Sequence, residues 1–177
     1  MFDRIKAETN SIFIHFCYFV SCLLLIMSAF IGVEGYTLSS GFILKELCIF
    51  YPNAEYDHFL FKMPGWYLTD GDKRTIRYTT QMLNNLSYLD GKVQYEEIVN
   101  ILDPVKDSII YTYSEIAVTF LQRYLPTTVI KNIQHDGYTM PNALPNSGCF
   151  RKHCPRYCAK SKAMDVKNFV ENFTDYD

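Results

Sequence analysis

The chain has no excess of charge of either sign. Its 19 acidic residues stand against 17 Lys and Arg, a formal net charge of −2 over 177 residues. That leaves no basic stripe to follow a nucleic-acid backbone and no acidic tail for a basic partner. Several chemistry-bearing motifs are also missing. No Gly-x-Ser-x-Gly, His-Glu-x-x-His or phosphate-binding glycine loop occurs, so the hydrolase, zinc-protease and nucleotide-binding classes lack their usual starting point. The absence of an internal repeat excludes a solenoid or propeller. Trp occurs once, yet aromatics reach 16% through 14 Tyr and 13 Phe. Tyr joins a buried ring to a polar tip, which suits core packing and recognition alike.

What is present begins with an apolar run from Ile12 to Val33 that holds no Asp, Glu, Lys or Arg. Arg4 and Lys6 precede it and Glu34 follows. Two readings fit. One is a secretory signal peptide over residues 1–35, cleaved after Gly35 or after Ala29. The other is an uncleaved signal anchor, since such a run at about 1.5 Å per residue crosses a bilayer core of about 30 Å. Both place residues 36–177 outside the cytosol, with the anchor making the membrane contact through residues 12–33. Two N-glycosylation triplets agree, at Asn85-Leu86-Ser87 and Asn172-Phe173-Thr174. Outside the apolar run lie Cys48, Cys149, Cys154 and Cys158. An even count in an oxidising compartment predicts two disulfides, one of them joining Cys48 to the C-terminal cluster.

Hydrophobic spacing predicts a mainly α fold: a small disulfide-stabilised helical domain with a helical core over 36–133. A Cys-containing loop and a C-terminal helix over 134–177 belong to the same domain. Gly41 to Tyr51 is apolar nearly all round and reads as a short buried helix before Pro52. Thr69-Asp70-Gly71-Asp72 would cap a helix over Lys73 to Leu86, and Glu96 to Leu102 resumes a helical pattern. Asp103-Pro104 is a helix-start signal. The stripe of Val105, Ile109, Ile116, Phe120 and Leu121 then predicts the organising helix, stopped by Pro126. Thr127 to Ile133 is rich in β-branched residues and reads as a short strand, and Lys160 to Phe173 as the last helix.

Leu86 to Leu102 resembles the second half of an EF-hand, with Asp90, Gly91 and Glu97 at ligand and turn positions. Leu86 and Tyr88 stand where the loop's first two carboxylates belong, so no calcium binding is expected. The spacing Cys149-x3-His153-Cys154-x3-Cys158 holds four zinc-type ligands, but adjacent His153 and Cys154 converge poorly and export favours oxidation. Neither a metal nor any other cofactor is therefore expected. Arg151, Lys152, Arg156, Lys160 and Lys162 form the one basic cluster, a candidate docking face. His58 and His135 adjoin Asp57 and Asp136, but no catalytic set is assigned. The functional expectation is a secreted or lumenal non-enzymatic interaction protein, binding another protein at or outside the membrane and no nucleic acid. The alternative is a single-pass membrane protein with an extracellular helical domain in a membrane complex. An enzyme with dispersed active-site residues comes third.

Overall fold

The computed structural model describes residues 28–65, 67–142, 144, 149 and 155–174. Six strands form one mixed sheet: β1 (Ser28–Leu38), β2 (Gly41–Phe50), β3 (Tyr56–Lys62), β4 (Val93–Gln94), β5 (Ile109–Thr112) and β6 (Ile130–Asn132). Their spatial order is β4-β3-β2-β1-β5-β6. β1, β2 and β3 are an antiparallel meander, while β5 runs parallel to β1 and β6 parallel to β5. The helices are α1 (Asp70–Tyr78), continued as a π-helical stretch over Thr79–Asn84, α2 (Ile98–Leu102), α3 (Glu115–Gln122) and α4 (Ala159–Thr174).

The fold is therefore α/β, and the mainly helical expectation is corrected. β2 shows why. Its residues from Ile43 to Phe50 are buried on both faces, because helices cover both sides of the sheet. A strand covered twice loses the alternation that marks a half-exposed one, and its apolar run reads equally well as a buried helix. The predicted organising helix is likewise two elements. Asp103–Val105 is a 3-10 turn that closes α2, and Ile109-Ile110-Tyr111-Thr112 is strand β5. Ser114 then starts α3, its hydroxyl accepting from the Ala117 N–H at 3.3 Å. The expected cap at Thr69 is present. Its side chain accepts from the Asp72 N–H while Asp72 accepts from the Thr69 N–H, a reciprocal capping box. The short strand near Thr127–Ile133 and the C-terminal helix also appear.

Two of the three buried clusters lie on opposite faces of the sheet. On one face Ala29, Ile31, Val33, Leu47 and Ile49 pack with Ile98, Leu102, Phe120 and Leu121 from α2 and α3. On the other, Phe30, Cys48 and Phe50 pack under Ala159, Ala163, Val166 and Val170 of α4. That spacing of four, three and four residues is the buried stripe of α4. Phe173, near the end of the helix, is exposed. Among the described residues no disulfide is formed, so the expected bridge from Cys48 to the C-terminal cysteines is corrected. The expectation rests on an even cysteine count in an oxidising compartment, and a count alone does not bring two sulfurs to bonding distance. Cys154 lies outside the described residues.

Of the apolar run Ile12–Val33, Ser28 to Val33 lies in β1, and residues 12–27 fall outside the described residues. Among the described residues no helix is long and apolar enough to cross a membrane.

Candidate functional site

The register of the meander places a row of polar side chains under α4. Glu34 of β1 is the Cα partner of Glu46 on β2, and Gly32 of Cys48. Cys48 in turn faces His58 on β3. Residues at these positions point to one side of the sheet. Two carboxylates opposite each other repel, and each is held by its own partner. Lys162, from the buried side of α4, donates to Glu34 and to the Tyr113 hydroxyl. His58 Nε2 lies 2.7 Å from Glu46 Oε1, and the Ala159 N–H at the start of α4 donates to Glu46 Oε2 at 2.9 Å. Glu46 is wholly buried. It thus satisfies one of the open N–H groups of the first turn and sits at the positive end of the helix dipole.

The Lys162 end of this row opens to solvent. The chain leaves β1 toward β2, β3 and β4, then returns on the other side as β5 and β6. β1 and β5 pair only through Ser28, Ala29 and Phe30 with Ile109, Ile110 and Tyr111. Beyond that ladder they part around a crevice of about 270 Å³, lined by Glu34, Thr37, Thr75, Tyr113, Ser114 and Lys162 among others. In open α/β sheets, ligands bind outside the carboxyl ends of parallel strands where the strand order reverses. Here that point falls between β1 and β5. Burial pushes the Lys162 ammonium down to about 7, and burial raises Tyr113 to about 12. Burial thus favours release of the lysine's proton, while the phenol stays a neutral hydrogen-bonding group.

The other end of the row is a knot of soft and borderline ligands. Donor atoms of Glu46, His58 and Cys149 all lie within 4.8 Å of one another. Burial, then Glu46 beside it, raises the Cys48 thiol far above its ordinary value, and Cys158 and Cys149 are both close enough to Cys48 to add to that rise.

Other singled-out residues are dispersed. Lys160 and Lys162 are buried, with Lys160 Nζ 3.9 Å from the centre of the Tyr56 ring, while Arg156 is exposed. They form no shared surface, and Arg151 and Lys152 lie outside the described residues, as does His153. Asn85 and Asn172 are both exposed. His135 makes a surface pair with Glu115 at 3.0 Å. In the EF-hand-like segment, Glu97 accepts from Asn100 at 2.9 Å, and the Asp90 and Tyr88 carbonyls accept from the Lys45 ammonium. Glu34, Glu46 and Tyr113 escaped sequence reasoning because their proximity is a product of strand register. The cue was within β2, where Lys45-Glu46 interrupts an apolar run. No family model matches the chain, and comparison with curated proteins and with solved structures yields no match.

Proposed function

We propose that the chain is a binding domain for a small polar ligand, received in the crevice between the carboxyl ends of β1 and β5. The observation that carries this reading is the Glu34–Lys162 pair, buried at the mouth of that crevice. A buried ion pair adds little net stability over well-packed apolar residues of the same volume. One placed where open sheets receive ligands is better accounted for by recognition. Lys162 and Tyr113 offer donors to a carboxylate or carbonyl oxygen, and Thr37 and Thr75 line the same space. The test is ligand-observed NMR with a panel of small carboxylic acids and carbonyl compounds, on the wild type and on Lys162→Met. Binders that saturate at one site and lose affinity in the variant support the reading. A panel without binders, or binding indifferent to Lys162, overturns it.

Export as an interaction protein is the second reading, favoured by the exposure of both Asn85 and Asn172, which leaves each triplet accessible to a glycan. It requires that any cleavage spare β1. Intact mass and N-terminal sequencing of chain secreted from a eukaryotic host test it. Added glycan with Ser28 to Leu38 retained supports it, and unglycosylated chain held in the cytosol overturns it.

A further inference from the structure

We propose a zinc site formed by Glu46, His58 and Cys149 at the start of α4. The three residues arrive from different parts of the chain: Glu46 from β2, His58 from β3 and Cys149 from the long connection before α4. Nothing local in the sequence obliges them to meet, yet their donor atoms fall within 4.8 Å of one another. Zinc holds its N, O and S ligands at about 2.0–2.3 Å, which puts neighbouring donors of a tetrahedral site roughly 3.3–3.8 Å apart. That spacing lies between the 2.7 Å His58–Glu46 contact and the outer limit of the cluster. Opening the 2.7 Å contact by about 0.6 Å, and closing a donor pair at the outer limit by about 1 Å, would bring them to it.

The ligand chemistry selects the metal. One imidazole, one thiolate and one carboxylate suit zinc, whereas magnesium and calcium take oxygen almost alone. Glu46 brings its own outer support, because its second oxygen already accepts from the Ala159 N–H at 2.9 Å, and such contacts orient metal ligands. A metal cation would also answer the charge of a carboxylate that is wholly buried. The fourth position falls to a thiol of the same knot, Cys48 or Cys158, or to water. The site differs from the zinc reading of Cys149, His153, Cys154 and Cys158 as a contiguous motif: it keeps Cys149 and takes its other ligands from the sheet. It shares no side chain with the Lys162 crevice, so either can fail without the other.

Zinc content of the full chain, purified under reducing conditions without chelator, provides the test, by mass spectrometry of the metal. The wild type and Glu97→Ala are expected to carry about one zinc per chain, and His58→Ala and Cys149→Ser to lose it, as removal of a ligand from a tetrahedral site does. Cobalt(II) added to metal-free wild type is the second readout, independent of how the variants fold. Intense visible bands with a thiolate-to-cobalt transition in the near ultraviolet are expected, the latter scaling with the number of thiolates. A wild type without zinc and without those bands overturns the site. So does zinc that persists in both ligand variants.

Discussion

Gly32 decides how closely α4 approaches the sheet. A Cβ built there would stand 2.0 Å from the Ala159 carbonyl oxygen and 2.7 Å from the Ala163 nitrogen, both backbone atoms that cannot rotate away. The small side chains Ala159 and Ala163 complete the seat. Gly32→Ala is therefore expected to lose stability at or above the upper end of the about 1–3 kcal/mol typical of overpacking, read by urea or thermal melts. Gly71 is the contrast, since a Cβ there meets only Thr69 Oγ1 at 3.6 Å on an exposed turn of α1. Gly71→Ala should be neutral or gain up to about 1 kcal/mol of helix propensity. Asp72 acts through its charge. Hydrogen bonds from the Ser39 N–H and the Thr69 hydroxyl, then from the Ser39 hydroxyl and Thr69 N–H, lower its pKa from 3.8 to about 2. The folded state thus binds this proton less readily than the unfolded one. Its contribution is fully present above pH 3.8 and is lost as pH falls through about 2. Asp72→Asn should flatten that part of an acid-unfolding profile; an unchanged slope between pH 4 and 2 would contradict the assignment.

At the scale of elements, the loop before β4 is held by an ammonium. Lys45 is wholly buried and donates to the carbonyls of Phe61 at 2.9 Å, Tyr88 at 3.0 Å and Asp90. Gly91, at φ +142°, lets the loop run against the Phe61 backbone, where a Cβ would lie 2.3 Å away. Lys45→Met keeps the stem but strips three acceptors of a charged donor, each such bond being worth about 1.5–3 kcal/mol. The expected result is faster amide exchange at Lys92, whose N–H pairs with Leu60, and a lower melting temperature. Exchange unchanged across the loop would remove Lys45 from this role. The same elements show what the sequence makes legible. α1 and α4 were readable because each has one buried stripe, and Thr69 to Asp72 carry a capping pattern that needs no tertiary context. β2 was not, because helices on both faces erase the alternation of a strand, and β5 was not, because it is four residues long and its Ile109 falls at helical spacing from Val105. The row from Lys162 to Cys149 was hidden for a different reason: register and a long connection, not spacing, bring its residues together.

The whole molecule depends on β1, and this sets the terms for any export of the chain. β1 is central, with β2 antiparallel on one side and β5 parallel on the other. Its pairing with β5 runs through Ser28, Ala29 and Phe30 alone, all of them buried. Cleavage after Gly35 would remove every one of these residues, together with Gly32 and Glu34. β5 and β6 would lose their attachment to the meander, α4 its seat and Lys162 its carboxylate. What stayed behind would expose the apolar faces of Leu47 and Ile49 on one side and Phe50 on the other, an edge prone to pair with other chains. A chain beginning at Tyr36 is thus expected to be insoluble or to lack a cooperative melt, whereas one beginning at Ser28 keeps every strand of the sheet and should melt cooperatively. Circular dichroism and thermal melts of the two truncations decide it. Should the Tyr36 chain fold as well as the Ser28 chain, β1 would be dispensable before Tyr36, and both the crevice and the seat of α4 would have to be sought elsewhere. Should it fail as expected, export with processing at Gly35 is incompatible with this domain, and any leader must end before the sheet begins.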